Sequence, residues 1–475
     1  MVSHFKNPIK RIFFPALLSG LLTGCGHLTP LTFKFLPLVG FPFFLVLTDY
    51  ILPRRRTYFW ATWAFSLGYL SISLYWISMA LTVDLHYFWW LIPPTLLLFP
   101  AFLALYFATL TALFPWPRYK GVPKIFWGSA IWLLAELARS YLLTGFPWPL
   151  LGYLWVPALP IAQLAYLTTI YGLTLLAFWT VSTPYLLWRS PRKVSYIYCA
   201  LLALLLGTIT WGGFYKLQGP NKLDVLPSFL LVQPNIPQKL KWNGKYRQQN
   251  LQQLMQLSQN TAGPSPQLII WPEAALPYDF SEALGQHLTR IIPEGSYLIT
   301  GVMRYETQEG EFKVWNSLYA INDQGERVHI YNKSHLVPFG EYVPFKKWLD
   351  KIAPGLIRNV SEGLMETTPG QGLQSVSLPN ISPFSPLICY EVIFPKQVIA
   401  SGAAKPAWIL NLTNDAWYGD TAGPYQHLEI AQMRAIEEGV ALVRATNTGI
   451  SALIDAHGRL IKTLPYNEEG VILWG

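Results

Sequence analysis

Residues 194–211 read VSYIYCALLALLLGTITW, an apolar run of 18 residues without a charged side chain. The hydrocarbon core of a bilayer needs about 20 such residues in a helix, so this run predicts a membrane span. After Lys222 the sequence changes to shorter apolar or β-branched runs separated by turn residues. The sequence therefore predicts a transmembrane domain in residues 1–215 and a separate domain in residues 222–475.

Six further apolar runs precede this one, which predicts about seven transmembrane helices. The seven runs are Ile12–Cys25, Leu31–Leu47, Phe59–Leu81, Phe88–Leu113, Ile125–Leu143, Ile161–Leu187 and Val194–Trp211. Lys and Arg concentrate in alternate connections, at residues 6–11, 54–56, 118–124 and 189–193. Because positive charge marks the cytoplasmic side, we expect a cytoplasmic N-terminus and an external domain after the seventh span, which in a bacterium means the periplasm.

The composition excludes several classes of protein. Of the 475 residues, 52% are apolar, 15% are aromatic and only 13% are charged, whereas a soluble domain carries about 25% charged residues. A disordered chain and a disulfide scaffold are both excluded. The net charge of +9 could suggest nucleic acid, but residues 1–215 hold 14 Lys and Arg against three Asp and Glu, and the remainder holds 21 against 23. The basic excess lies in the apolar part, so we expect no nucleic-acid partner.

Residues 222–475 alternate strand-like runs with helical patterns, which indicates an α/β domain. The predicted strands are Ser228–Gln233, Gln267–Trp271, Ser296–Met303, Val314–Ile321, Pro386–Cys389, Ala407–Leu412 and Ala441–Ile454. The predicted helices are Tyr246–Gln259, Glu282–Ile291 and Tyr425–Gly439. The run Val471–Gly475 is expected to form one last strand.

Three segments of this domain place reactive groups where a strand ends and a loop begins, a common position for active-site residues. Glu273 follows an apolar strand that Pro272 stops, and Cys389 ends another strand. Lys333 lies close to a second carboxylate, Glu341. Each residue alone is consistent with an exposed Glu, a surface Lys or a buried Cys, but their joint presence favours a catalytic site. Cys389 is also the one cysteine outside the apolar runs, and a lone thiol in an oxidising compartment suggests chemistry.

These segments resemble the Glu-Lys-Cys triad of the nitrilase (carbon–nitrogen hydrolase) superfamily. The chain is most similar to its membrane-bound branch, the apolipoprotein N-acyltransferase family, and the resemblance covers nearly the whole chain. The motifs that carry it are Gly-Phe-Pro-Trp at 145–148, Pro-Phe-Gly-Glu-Tyr-Val-Pro at 338–344, Cys-Tyr-Glu at 389–391 and Asn-Asp-Ala-Trp at 414–417. The resemblance implies an α/β nitrilase-like α-β-β-α sandwich domain following the multispan α-helical membrane domain.

The resemblance also implies a two-stage acyl transfer. Cys389 would attack the ester of a phospholipid and form a thioester, and the acyl chain would then pass to the α-amine of the N-terminal diacylglyceryl-cysteine of an apolipoprotein. Glu273 would act as the base and Lys333 would stabilise the oxyanion. Glu341, Glu391 and Tyr390 would support these three residues. We expect no cofactor or metal ion, a monomer, and a location in the bacterial inner membrane.

Aromatic residues are the candidates for lipid contact. Trp148, Trp242 and Trp348 are predicted to line the path of an acyl chain or headgroup, although aromatic residues are common near any membrane. Trp348 lies in the segment Pro344–Pro354, where apolar residues recur at helical spacing opposite a basic face. Such a segment suits a membrane interface, and a plain surface helix is the alternative.

Two other functions are consistent with the same residues. A membrane-tethered amidase or nitrilase that hydrolyses a small amide would use the same triad with water as the acceptor. Its substrate would need a closed polar pocket, whereas acyl transfer needs an opening at the level of the bilayer. A membrane scaffold with an inactive domain is the second alternative, and the intact Glu273, Lys333 and Cys389 argue against it.

Overall fold

The computed structural model describes residues 8–28, 31–51, 54–241, 243–259, 264–308, 310–352, 366–402 and 405–475. The chain divides into two compact units. The first is helical and comprises Met1–Pro220 with Thr421–Met433, and the second comprises Asn221–Asp420 with Arg434–Gly475. The multispan helical domain and the α/β sandwich domain expected from the sequence are both confirmed.

The helical unit has a helix at the position of each predicted apolar run. The longer helices are Pro8–Gly24, Pro37–Asp49, Arg55–Ser73, Ile92–Leu113, Gly121–Tyr141, Ala165–Val181, Thr183–Arg189 and Arg192–Leu217, and the shorter ones are Leu85–Phe88 and Leu159–Ala162. Within the described ranges, four helical stretches are long and apolar enough to cross a membrane: Leu31–Asp49, Leu85–Leu113, Ala165–Arg189 and Arg192–Leu217. A fifth is possible if Arg55–Ser73 and Tyr75–Thr82, which are bent by 48°, form one span. The number seven stays a prediction.

Lys124, Asp49 and Arg189 form a group of ion pairs in the helical unit. Lys124 is fully buried, and its ammonium group lies 3.0 Å from the carbonyl oxygen of Leu45 and 2.5 Å from a carboxylate oxygen of Asp49. The guanidinium of Arg189 contacts the other carboxylate oxygen of Asp49 at 3.3 Å. Since an isolated charge is costly to bury, these contacts explain how the apolar unit holds a lysine and an aspartate in its interior.

The segment Thr421–Met433 belongs to the helical unit although it lies between two strands of the other unit in sequence. The side-chain amide of Gln426 in this segment is buried, and both its oxygen and its nitrogen make hydrogen bonds. The oxygen accepts hydrogen bonds from the indole nitrogens of Trp76 at 3.0 Å and Trp148 at 2.8 Å. The amide nitrogen donates to the carbonyl oxygens of His27 at 2.9 Å and Ser73 at 3.2 Å. The predicted domain boundary near residue 222 therefore leaves Thr421–Met433 out of the helical unit. The assignment of this segment to that unit depends on contacts between residues that are distant in sequence.

The second unit contains two six-stranded sheets within its described residues. The first has the order β12-β1-β2-β3-β4-β5 and the second has the order β11-β10-β9-β8-β7-β6. The strands, from β1 to β12, are Phe229–Gln233, Leu268–Ile270, Tyr297–Gln308, Glu311–Asn322, Arg327–Asn332, Val376–Leu378, Ile381–Ile388, Trp408–Thr413, Ala441–Thr446, Ser451–Ile454, Leu460–Leu464 and Gly470–Trp474. The expected last strand is confirmed as β12, which pairs with β1 in antiparallel register.

The two sheets share one apolar core. Phe229, Leu268 and Ile299 contribute to it from the first sheet, and Phe384 and Leu410 contribute from the second. The opposite face of the first sheet packs against the helices Arg247–Gln259 and Glu282–Leu288 through a second apolar cluster. Helices cover a sheet in this way because its apolar side chains would otherwise face water. Two short helices, Gln238–Lys241 and Lys346–Ile352, also belong to the described residues of this unit, and the helix Gly423–Glu438 begins in the helical unit and ends in this one.

One predicted strand is wrong in its length. The apolar run Ala441–Ile454 forms two antiparallel strands, β9 and β10, with Asn447–Ile450 between them. A glycine is required in this turn because Gly449 lies directly against Asp415: a Cβ on this glycine would come within 2.3 Å of the carboxylate. The Asn-Thr-Gly sequence at 447–449 is a turn signal that the apolar flanks obscured.

Candidate active site

Cys389 lies at the end of β7, where the strand gives way to a short 3₁₀ turn, Cys389–Ile393. Its φ angle is +50°, in the left-handed region that a residue with a Cβ rarely occupies. Such backbone strain is typical of functional sites. The side chain is only 6% exposed. The structure therefore holds the thiol at the end of a buried strand in a fixed orientation.

Glu273 follows β2 in the other sheet, and its backbone lies very close to Gly301 of β3. A Cβ at Gly301 would come within 2.7 Å of the Cα of Glu273, so a glycine is needed there. The carboxylate oxygen Oε1 accepts a hydrogen bond from the side-chain amide of Asn316 at 2.7 Å. Within the described residues, the other oxygen, Oε2, is buried and has no hydrogen-bond partner. Glu273 thus offers one oxygen that is held and one that can accept a proton.

Lys333 comes directly after β5 and is 1% exposed. Its ammonium group contacts both carboxylate oxygens of Glu341, at 2.9 and 2.8 Å, and lies 3.9 Å from Oε1 of Glu273. Glu341 is itself held by the backbone N–H of Val337 at 2.7 Å and by the amide of Asn316 at 3.2 Å. The tightest ion pair of Lys333 is therefore with Glu341, which the sequence assigned only a supporting role.

Glu391 connects the loop of Lys333 to the loop of Cys389. Its Oε1 accepts hydrogen bonds from the hydroxyl of Tyr331 at 2.8 Å, from the hydroxyl and backbone N–H of Ser334, both at 2.7 Å, and from the backbone N–H of His335 at 3.1 Å. Its Oε2 accepts from the backbone N–H of Ile388 at 2.7 Å. This fully hydrogen-bonded buried carboxylate fixes the position of the two loops relative to each other.

Burial and nearby charge shift the acidities of these groups. Burial, with the carboxylate of Glu273, raises the pKa of Cys389 to about 12, although Lys333 opposes this shift. Burial also raises the pKa of Glu273, and Glu341 adds to the effect while Lys333 opposes it. Burial alone would lower the pKa of Lys333, but Glu341 and Glu273 outweigh it and raise the pKa. Cys389 is therefore a protonated thiol at neutral pH and needs a neighbouring base.

The other residues predicted from the sequence lie in different surroundings. Tyr390 is buried next to Cys389, and its ring packs edge-on against Phe394. Trp348 lies on the helix Lys346–Ile352 and is 63% exposed. Trp148 is buried in the helical unit, where its indole N–H donates to Gln426. Trp242 lies outside the described residues, as do Pro354 and the part of the predicted amphipathic segment that follows Ile352.

Sequence reasoning missed two residues of this site. Asn316 is the polar residue that links the carboxylates of Glu273 and Glu341, and it occupies the middle of an apolar strand. A buried amide in such a strand is a signal that could have been noticed. Lys241 is also buried, and its ammonium group donates to the backbone carbonyl oxygen of Glu273 at 2.7 Å. No local sequence pattern distinguishes it from Lys239 two residues earlier.

The Asn316→Ala variant is expected to shift the pH dependence of the reaction of the Cys389 thiol with iodoacetamide. The hydrogen bond from Asn316 lowers the pKa of Glu273, so its loss raises that pKa and keeps the carboxyl protonated to higher pH. A hydrogen bond to a charged group contributes about 1.5–3 kcal/mol, so the acid limb, the low-pH range in which the rate rises as Glu273 loses its proton, should move upward by about one pH unit or more. The measurement is the initial rate of alkylation from pH 4 to 8.

The Asn322→Ala variant is the matched control, because Asn322 ends the same strand and its amide contacts Glu326 instead. It should leave the acid limb unchanged. An Asn316→Ala enzyme with the wild-type acid limb would contradict the role assigned to this hydrogen bond.

The fold and the carboxylate–lysine–cysteine arrangement define a carbon–nitrogen hydrolase domain. The family model for carbon–nitrogen hydrolases matches residues 231–474, and the model for the apolipoprotein N-acyltransferase N-terminal domain matches residues 19–183. The chain belongs to the apolipoprotein N-acyltransferase family. Its relatives include the apolipoprotein N-acyltransferase of Rhodopseudomonas palustris, 38% identical over 87% of this chain and 79% of the relative. That of Brucella melitensis is 37% identical over 86% of this chain and 78% of the relative.

Among solved structures, the chain is similar to an amidase of the nitrilase superfamily from Nesterenkonia. The similarity covers 52% of this chain and 89% of the amidase, with 20% sequence identity and a TM-score of 0.36.

Proposed function

We propose that this chain transfers an acyl chain from a phospholipid to the α-amino group of the N-terminal diacylglyceryl-cysteine of an apolipoprotein, through a thioester on Cys389. The observation that carries the proposal is the arrangement of three groups in one buried site. Cys389 provides the thiol, Glu273 provides a carboxylate oxygen without another partner in the described structure, and Lys333 provides a buried ammonium group.

In the first stage, Glu273 takes the proton of the Cys389 thiol as the sulfur attacks the ester carbonyl of the phospholipid. The tetrahedral oxyanion is stabilised by the ammonium group of Lys333 and by a backbone N–H next to Cys389. Collapse of this intermediate breaks the ester bond, and Glu273 returns the proton to the leaving alkoxide. The products are a lysophospholipid and an acyl thioester on Cys389.

In the second stage, the α-amine of the apolipoprotein attacks the thioester carbonyl and Glu273 removes a proton from its nitrogen. The same donors stabilise the second oxyanion, and the thiolate leaves and recovers a proton. Because an amide is more stable than a thioester, transfer to the amine is favourable. The supporting residues Glu341 and Glu391 hold Lys333 and the Cys389 loop in the positions that both stages need.

The exposed aromatic side chains near Lys346–Ile352 suit contact with lipid. Phe345 is 60% exposed and Trp348 is 63% exposed, and Lys347 on the same segment is also exposed. Aromatic and basic side chains together favour the interface of a bilayer that contains anionic lipid. We place the enzyme in the bacterial inner membrane with the catalytic domain in the periplasm, because the charge pattern of the connections favours that orientation. We also propose that it acts as a monomer.

The decisive experiment is mass spectrometry of the peptide that contains Cys389 after the purified chain has been incubated with a palmitoyl phospholipid alone. We expect one palmitoyl group in thioester linkage, which hydroxylamine removes. Addition of a synthetic diacylated lipopeptide should then move the palmitoyl group to the peptide amine. The absence of an acyl group on Cys389, together with ammonia release from small amides, would favour hydrolysis of an amide and refute acyl transfer.

A further inference from the structure

Lys241 is a second buried lysine beside the proposed general base. It ends the short helix Gln238–Lys241, is 6% exposed, and donates a hydrogen bond to the backbone carbonyl oxygen of Glu273 at 2.7 Å. Lys239, on the same helix, is exposed. A buried ammonium group is costly unless hydrogen bonds and opposite charge compensate it, so its place next to Glu273 requires an explanation.

The charges of the site balance only when Lys241 is included. Lys333 is paired with Glu341 through two contacts of 2.8 and 2.9 Å and is more distant from Glu273, at 3.9 Å. The carboxylate of Glu273 is therefore only partly compensated by Lys333. Lys241 supplies the further positive charge, and its electrostatic interactions act on Glu273 and on Cys389.

The other buried carboxylates near Cys389 have partners of their own. Asp415 lies 2.6 Å from the guanidinium of Arg444. Glu391 accepts hydrogen bonds from Tyr331, from Ser334 and from the backbone N–H of Ile388. Neither carboxylate therefore depends on Lys241 for compensation.

The proposed chemistry moves one negative charge across this site. When the S–H bond of Cys389 breaks and an O–H bond forms on Glu273, the carboxylate becomes neutral and the sulfur becomes anionic. We propose that Lys241 is a positioning residue that holds Glu273 through its backbone carbonyl and compensates the negative charge first on Glu273 and then on the sulfur of Cys389. This inference rests on the proposed function, because it requires Glu273 as the base and Cys389 as the nucleophile.

Several titratable or charged groups face Lys241, Glu273 and Cys389 and must be considered in a pH experiment. Lys333 and Asp415 act on Cys389, Lys333 and Glu341 act on Glu273, and Tyr418 interacts with both. Arg444 interacts with Asp415 and Tyr418. Burial lowers the pKa of Lys241 to about 8. The compensation by Lys241 is therefore nearly complete below about pH 7, is half lost near pH 8 and disappears as the pH rises further.

The test is the pH dependence of the alkylation of Cys389 by iodoacetamide in the full-length chain. Loss of a nearby cation raises the pKa of a thiol by about one unit or more. The Lys241→Met variant should therefore show an alkylation rate constant at pH 7 reduced about tenfold, and the difference from the wild type should decrease above pH 8 as Lys241 loses its proton. The Lys239→Met variant, the matched control, should keep the wild-type rate constant at pH 7.

Two further variants separate charge from hydrogen bonding. Lys241→Arg keeps the charge and should keep the wild-type rate constant at pH 7. Lys241→Gln can still donate to the carbonyl oxygen of Glu273 but has no charge, so its rate constant at pH 7 should fall as in Lys241→Met. This variant also decides the question if Lys241→Met fails to fold. A wild-type rate constant in folded Lys241→Gln would overturn the inference, because a merely structural lysine changes the amount of folded enzyme and not the rate constant at pH 7.

Alkylation by iodoacetamide does not require lipid, which separates this inference from the proposed function. If the wild-type chain forms the acyl thioester and the alkylation rate constant at pH 7 is insensitive to Lys241, the inference is wrong and the proposed function stands. If the rate constant falls as expected but phospholipid never acylates Cys389, the proposed function is wrong and the electrostatic role of Lys241 stands.

Discussion

The Cys389→Ser variant is expected to form no acyl-enzyme with phospholipid and to lose N-acylation of a diacylated lipopeptide by a factor on the order of 10³ or more. A serine hydroxyl has nearly the same size as the thiol, so the buried turn Cys389–Ile393 should remain folded. A hydroxyl is much less acidic than a thiol, and no residue described near Cys389 in the structure would make it an equally good nucleophile. The measurement combines the acyl mass on the peptide that contains residue 389 with the rate of lipopeptide acylation.

The two other cysteines provide the control. Cys25 and Cys199 lie in the helical unit and neither is in a disulfide. The double variant Cys25→Ser, Cys199→Ser should keep the wild-type rate and the acyl mass on Cys389. An active Cys389→Ser variant, or acylation found on Cys25 or Cys199, would refute the assignment of the nucleophile.

The Glu273→Gln variant is expected to slow acylation of Cys389 by a factor of about 10²–10⁴, the usual contribution of a general base. Glutamine has the shape of glutamate but cannot take the proton of a thiol whose pKa burial raises to about 12. The wild-type rate should rise with pH as Glu273 loses its proton. Because burial raises the pKa of Glu273, this rise should occur at a higher pH than for an ordinary glutamate. The variant should lack this rise, and its acylation should recover only at alkaline pH.

Glu282→Gln is the matched control, because Glu282 is exposed at the beginning of the helix Glu282–Leu288 and lies outside the site. It should keep the wild-type rate at every pH. The general-base role fails if Glu273→Gln acylates Cys389 at the wild-type rate near neutral pH while circular dichroism shows the wild-type fold.

Much of the fold could be predicted because it depends on local patterns of hydrophobicity. Long uncharged runs such as Val194–Trp211 predict helices, and short β-branched runs such as Gln267–Trp271 predict strands. The strand β6 was missed because it has only three residues. The strands β5 and β11 were missed because they are partly exposed and contain polar residues. Local patterns also gave no indication that Thr421–Met433 belongs to the helical unit, since Gln426 reaches its partners across hundreds of residues of sequence.

The candidate site, like the fold, could be predicted from local sequence only in part. Glu273 and Cys389 could be selected because each directly follows an apolar strand, and Lys333 because it lies close to Glu341 in sequence. The pairing of Lys333 with Glu341, the bridge made by Asn316 and the burial of Lys241 beside Glu273 depend on which strands are neighbours. Strand order is a property of the whole sheet, and here it joins residues that are separated by dozens of positions.

The sequence by itself determined that this chain has an apolar helical part and an α/β part, and it identified the three groups proposed to perform the chemistry. Hydrophobic periodicity is sufficient for the division into two parts, and the motifs that resemble the Glu-Lys-Cys triad identify the three groups, because both are written in consecutive residues. Only the tertiary structure decided how the buried charges are compensated. A buried ion is stable only next to its partners, and the partners of Glu273 come from three separate segments of the chain, at Lys241, Asn316 and Lys333.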